Sequence, residues 1–218
     1  MDFGVVWESR ELLWQGLKYS FKLFFWVIIL GTSLGILVGV GLLYGHKPIR
    51  LILRLYVDVI RGMPLIVTIF VLFYGPVAYG LNLSPFQSIV LALSLFAATH
   101  MGEIVRGAVQ SVPRGQEDAA KSLGLTFWPR TFSIILPQAA PIMMGPWTNL
   151  AVDMFKATSH ALLVSQADFL FSIQKRAAAN GNYMAHYTVA AIVYLVCCLA
   201  ISQFGRWLTR RLQPANVS

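Results

Sequence analysis

The chain has 218 residues, of which 57% are hydrophobic and only 12% charged, with mean hydropathy +0.66. A soluble domain carries about 25% charged residues, so this composition excludes an ordinary water-soluble domain and points to an all-α membrane protein. The net charge of +8 does not indicate nucleic acid, because the basic residues gather at the ends of apolar runs rather than on one polar surface.

The predicted elements begin with an interfacial segment. Over residues 1–22, Trp7, Leu12, Leu13, Trp14 and Leu17 alternate with Glu8, Arg10, Glu11 and Lys18, the pattern of an amphipathic helix lying in the membrane surface. It is not expected to be a signal peptide: acids come first, and no small-residue cleavage site follows an early apolar core. Span one is expected at Leu23 to Leu43, uncharged throughout and close to the roughly 20 residues a bilayer requires. Gly31, Gly35 and Gly39 recur along one face, where a neighbouring helix can approach closely. His46, Lys47, Arg50 and Arg54 follow as a basic cluster, and Pro48 to Val59 is expected to be helical.

From Gly62 to Met101 there is no Asp, Glu, Lys or Arg. Gly75-Pro76 and the stretch from Asn82 to Pro85 divide this run into span two, Leu65 to Tyr79, and span three, Phe86 to Val109. Glu103 and Arg106 lie three residues apart near the end of span three, placed to pair with each other. An ionisable group within a membrane span is a functional candidate by default.

The stretch from Arg114 to Pro137 is polar. Gln116 to Leu123 reads as a short helix, with Glu117 and Asp118 in its first turn and Gly124 placed to cap it in a left-handed conformation. Ala119 and Ala120 are expected to leave a flat patch for another protein. Span four, Ile134 to Val152, has Pro137, Pro141 and Pro146 in its first half. Such a helix is expected inside the bundle, where the freed carbonyls find partners. Asp153 to Asn182 is expected to be a long connection on the outer side, and span five is Tyr187 to Gly205, ending in Arg206, Trp207, Arg210 and Arg211. Cys197 and Cys198 are adjacent in an apolar run and read as packing residues. The four histidines have no ligand spacing, so no metal site is expected. Eleven of the 17 Lys and Arg fall on proposed inner segments, which favours an N-terminus outside and a C-terminus inside.

Three motifs carry a resemblance. Asp118-Ala119-Ala120, three residues, Gly124, nine residues, Ile134, one residue and Leu136-Pro137 resembles the EAA loop of ABC-importer permeases. The usual first Glu is Asp118 here, with Glu117 just before it. Arg61-Gly62-Met63-Pro64-Leu65 is similar to a second element of that family. Glu103-Ile104-Val105-Arg106-Gly107 with Ser111-Val112-Pro113 resembles the polar amino acid branch, which includes the histidine, glutamine and glutamate permeases. Phe96 and His100 depart from that branch, and Lys156-Ala157-Thr158-Ser159 lacks the acid of its usual Lys-Asp-Thr-Ser.

The resemblance implies a type-1 permease fold: a bundle of about five transmembrane helices with a short cytoplasmic coupling helix. It implies an N-terminal interfacial segment at residues 1–15, a permease domain at 16–212 and a tail at 213–218. The expected location is the bacterial cytoplasmic (inner) membrane, crossed several times. The implied partners are an ABC ATPase dimer, a second permease subunit, identical or a sister, and a periplasmic or lipid-anchored substrate-binding protein. Glu117, Asp118, Ala119, Ala120 and Gly124 are the expected ATPase-coupling residues, and His100, Glu103 and Asp153 the expected substrate or pathway residues.

The chain is not expected to be an enzyme, and no catalytic residue is assigned. A P-loop needs a lysine after glycine, and none of the lysines here follows one. ATP and Mg would therefore be bound by the partner ATPase, with no cofactor in this chain. Two other readings remain: an ion-coupled secondary transporter using Glu103 or Asp153, or an ABC importer for a different small solute. The first usually shows internal repeats, and none is found. A membrane-embedded enzyme would need clustered nucleophile, base or metal ligands, and no such motif occurs.

Overall fold

A computed structural model describes residues 3–212, and the expected tail at 213–218 lies outside the described residues. A short helix α1 (Gly4–Glu8) leads into α2 (Arg10–Tyr44), a single helix of 35 residues. The expected interfacial helix and span one are thus one element. Nothing between Arg10 and Tyr44 breaks the backbone ladder, so the polar first turns simply extend the span. At 1.5 Å per residue α2 is about 52 Å long, well beyond a hydrocarbon core of about 30 Å. Its first turns still carry interfacial chemistry, with the Arg10 guanidinium 5.4 Å from the Trp7 ring and Lys18 Nζ 5.4 Å from Trp14.

Helix α3 (Lys47–Gly62) and α4 (Leu65–Tyr74) meet at a bend of 107°. Met63 sits at the corner in an extended conformation, φ −92° and ψ 143°, as the residue before a proline prefers. Span two is therefore not a straight helix to Tyr79. Helix α4 has ten residues, about 15 Å, and a 3-10 turn (Pro76–Tyr79) follows it.

Helix α5 (Pro85–Ser111) is the centre of the bundle. Its start is a capping box: Ser84 Oγ accepts from Gln87 N at 3.2 Å, and Gln87 Oε1 accepts from Ser84 N at 2.9 Å. Leu93, Ala97 and Met101 of α5 share a core with Leu23 and Val27 of α2 and Ile69 of α4. The glycine stripe of α2 is packed against α5. A Cβ on Gly31 would lie 2.6 Å from Ala97 Cβ, on Gly35 2.3 Å from Met101 Cβ, and on Gly39 2.6 Å from Val105 Cβ.

Helix α6 (Arg114–Ser122) and the single turn α7 (Phe127–Arg130) follow, then a π-helical turn (Thr131–Ile135) that feeds α8 (Leu136–Ala157). The wide turn stands directly before Pro137, whose ring conflicts with the carbonyl of residue 133 in a regular α-helix. As expected, α8 lies within the bundle, between α5 and α10 (Tyr183–Leu212). Ala139, Leu150, Ala151 and Met154 are its buried face.

The expected outer connection from Asp153 to Asn182 is mostly helical. Helix α8 continues to Ala157, a 3-10 segment spans Thr158–Val164, and α9 covers Phe169–Asn180. Asp168 caps α9, its Oδ1 accepting from Phe171 N at 2.9 Å and its Oδ2 from Leu170 N at 3.2 Å. Gly181, at φ +69°, closes the helix. Asp153 thus stands in the last turns of α8 and not on a loop. Among the described residues, α2, α5 and α10 are long and apolar enough to cross a membrane, and the bent α3–α4 pair makes a fourth candidate. Helix α8, with 22 residues, has the length for the remaining segment but carries the prolines, Asn149, Asp153 and Lys156.

Candidate functional site

Two places gather the residues singled out in the sequence. The first is α6, which projects from the bundle. Its end is a Schellman cap: Gly124 has φ +74°, its N–H donates to Lys121 O at 2.9 Å, and Leu125 N donates to Ala120 O at 3.1 Å. A Cβ at Gly124 would meet nothing within 4 Å, so glycine is required there by backbone conformation and not by space.

The two alanines do not form one flat patch. Ala120 is buried, 1% exposed, while Ala119 faces outward. Neighbours on a helix point about 100° apart, which divides them. Gly115, Asp118, Ala119, Ser122 and Leu123 share one exposed face of the α6 region. Leu123 is 78% exposed, an open apolar side chain at the tip of the loop. Sequence reasoning passed over it because an apolar residue at a helix end reads as buried.

Glu117 does not share that role of an open surface residue. Its Oε1 lies 2.9 Å from Lys121 Nζ and 3.6 Å from Arg130 Nη2. Hydrogen bonding by Lys121, with the charges of Arg130 and Arg114, holds its carboxyl below the usual range. Glu117 and Arg130 tie α6 to the turn before α8, and Gln138 Nε2 adds a bond to Gln116 Oε1 at 3.4 Å. Asp118 is far more open, its side chain 75% exposed.

The second place is a groove of about 570 Å³ between α5 and α8. His100, Glu103 and Asp153 all line it, together with Arg61 from the end of α3 and Asn149 from α8. The fold brings the three expected pathway residues together, although up to 53 positions separate them in the chain. Asn149 and Arg61 were not singled out. Asn149 could have been found as the residue one helical turn before Asp153, and Arg61 as the charge that opens the Arg-Gly-x-Pro-Leu element.

Much of the groove wall is apolar, and its two carboxylates, Glu103 and Asp153, are paired. Glu103 Oε2 accepts from Arg106 Nε at 3.0 Å and Nη2 at 2.6 Å, and Arg106 Nη1 donates to Gln110 Oε1 at 2.7 Å. Asp153 Oδ1 accepts from Lys156 Nζ at 3.1 Å. The His100 ring lies on Phe96, centroids 4.6 Å apart, with Nδ1 3.1 Å from the Phe96 carbonyl oxygen. These pairs hold the side chains in place while keeping charge of both signs along the wall. Among the described residues no three His, Cys, Asp or Glu side chains are grouped to hold a metal ion.

Comparison with known proteins gives a consistent result. The family described as "Binding-protein-dependent transport system inner membrane component" matches residues 31–214. The chain is 32% identical over 202 residues to the L-cystine transport system permease protein TcyB of Bacillus subtilis (strain 168), covering 92% of this chain and 86% of that one. It is 29% identical to the glutamine transport system permease protein GlnP of Escherichia coli (strain K12), covering 97% and 98%. A crystal structure of an amino acid ABC transporter with histidines superposes with a TM-score of 0.91 at 28% identity, covering 97% of this chain and 99% of that one. The fold, the capped helix α6 between apolar spans and these matches agree: the chain belongs to the family of inner membrane components of binding-protein-dependent transport systems, multi-pass permeases of ABC importers.

Proposed function

We propose that this permease carries a polar amino acid, or a close chemical relative, inward by alternating access along the groove of His100, Glu103 and Asp153. The observation that carries this reading is the convergence of those three residues with Arg61 in one open groove. A zwitterion carries both charge signs, and the wall offers both. The named substrates of the similar permeases, L-cystine and glutamine, support the same class. Five segments leave the groove open on one side, so a second permease subunit, identical or a sister, completes it.

In this reading α6 is the coupling helix. Asp118, Ala119 and Leu123 meet a groove of an ABC ATPase dimer, which binds ATP and Mg. Glu117, Ala120 and Gly124 hold the helix in shape and fasten it to the bundle. A substrate-binding protein delivers solute at the opposite face. The N-terminus lies outside and the C-terminus inside, which puts α6 in the cytoplasm beside the ATPase. Movement of α6 reaches α8 through Arg130, Gln138 and the wide turn at Thr131–Ile135.

The test is uptake of labelled glutamine and cystine into proteoliposomes holding the permease, its ATPase and its binding protein, with ATP supplied on the ATPase side. Glu103→Gln frees Arg106 and changes the charge of the wall. The half-saturation concentration is expected to rise several-fold. Unchanged affinity and rate in that variant would remove Glu103 from the pathway.

A further inference from the structure

On the other side of the α5–α8 pair lies a chamber of about 650 Å³ between α2, α5, α8 and the turn before α8. Met101, Val105, Met143, Trp147 and Phe132 are among its walls. The residues of α5 and α8 that line it lie roughly 130° around each helix from those lining the His100 groove, at 100° per residue. The chamber is therefore separate from the proposed solute route.

Its walls are almost wholly apolar, and its few polar groups are the hydroxyls of Thr32, Thr131 and Tyr44 and the indole N–H groups of Trp128 and Trp147. Thr32 Oγ1 already accepts from Trp147 Nε1 at 3.0 Å. A buried water requires two to four polar partners, which such walls do not provide. An empty space would forfeit dispersion contacts along its whole lining. Hydrocarbon is the filling that suits it, and in a membrane hydrocarbon is at hand.

The chamber does not end blindly. Leu43, Tyr44, Val109, Phe127 and Thr131 also line a second cavity of about 490 Å³. That cavity adds Gln110, Arg114, Glu117 and Arg130, two cations against one anion. Lys121 is the nearer partner of Glu117, at 2.9 Å, while Arg130 stands 3.6 Å away, beyond a good hydrogen bond. Exposed Trp128, stacked on Phe132 with centroids 5.8 Å apart, marks the level where aromatic rings sit at a membrane surface. An apolar slot that opens into a net cationic mouth at that level has the polarity profile of a phospholipid.

We propose that the two cavities form one binding site for an anionic phospholipid, with an acyl chain in the apolar chamber and the phosphate at Arg130 and Arg114. The bound lipid touches both the root of α6, through Arg114, and the wide turn before α8, through Thr131. It packs the joint through which α6 moves the bundle.

The experiment uses the complete importer, permease with its ATPase, in nanodiscs of equal parts phosphatidylcholine and phosphatidylglycerol of one chain length. The complex is extracted into mild detergent, and its retained lipids are counted by native mass spectrometry. Wild type is expected to retain phosphatidylglycerol several-fold over phosphatidylcholine. Arg130→Gln is expected to abolish that preference while keeping the number of lipids. Ala140→Phe, which fills the chamber, is expected to lower the number retained. The mass of the intact complex in the same spectrum reports assembly. If Ala140→Phe does not assemble, Arg130→Gln, which changes the mouth and none of the residues lining the chamber, still decides. Equal retention of both lipids by wild type would overturn the site. So would an Arg130→Gln complex that kept the wild-type preference, since the lipid would then be held elsewhere.

Discussion

At Gly124 the chain turns through a left-handed conformation that an L side chain enters at a cost of roughly 1–2 kcal/mol, more for a β-branched one. Gly124→Val therefore loosens the cap of α6 while touching nothing else, because the space around it is open. Uptake by reconstituted importer is expected to fall several-fold with normal amounts of chain in the membrane. Gly124→Asn, which tolerates the left-handed region, is expected to retain most of it. A valine variant with full uptake would remove the cap from the coupling mechanism. Asp168 gives a second prediction at this scale. It is buried, and burial pushes its carboxyl up to about 7 from 3.8, against the pull of the backbone N–H groups it caps. The folded state thus holds the proton more tightly than the unfolded state. This contribution to stability is whole below pH 3.8 and is lost as the pH rises through about 7. Thermal unfolding of detergent-purified protein is expected to show falling stability across that window. Asp168→Asn, which keeps a capping oxygen, should flatten the slope, and a variant with the wild-type slope would assign the pH dependence to other groups.

Among the elements, the seam between α2 and α5 is the most demanding. A methyl group at Gly35 would stand 2.3 Å from Met101 Cβ, a distance that only a backbone shift relieves. Gly35→Ala is expected to cost about 1–3 kcal/mol, the range for overpacking a filled core. Gly107→Ala on α5, which meets nothing within 4 Å, should cost little, and equal thermal shifts in the two variants would contradict the seam. This stripe was legible in the sequence, because small residues at every fourth position share one face of a helix. So was α6, because Gly124 and the acidic first turn are local signals. The bend between α3 and α4 was half legible: Pro64 marks the corner, but an uncharged run does not report its own direction. The continuity of α2 was hidden by composition, since a change from polar to apolar alters what surrounds a helix without breaking its backbone. The helical state of Asp153 was hidden for the same reason. The burial of Ala120 beside an open Ala119 needed only the helical repeat, applied one residue at a time.

For the molecule as a whole, the convergence of His100, Glu103 and Asp153 depends on how α5 and α8 pack, which no single stretch of sequence states. Their chemistry and their places beside or against the family motifs nominated these residues, and the fold gave them a common wall with Arg61. The proposed assembly also accounts for the exposure of α6. A short polar helix with an open leucine at its tip, joined by Glu117–Arg130 to the turns that precede α8, is the surface that the proposed coupling role assigns to the ATPase. The measurement that tests this most directly is purification of the tagged chain from its native membrane in mild detergent, with the bound proteins identified by mass spectrometry. A P-loop ATPase is expected to copurify, and Leu123→Asp is expected to release it while the chain stays folded. No ATPase in repeated gentle preparations, together with solute movement by the chain alone on an ion gradient, would contradict the account and make this a secondary carrier.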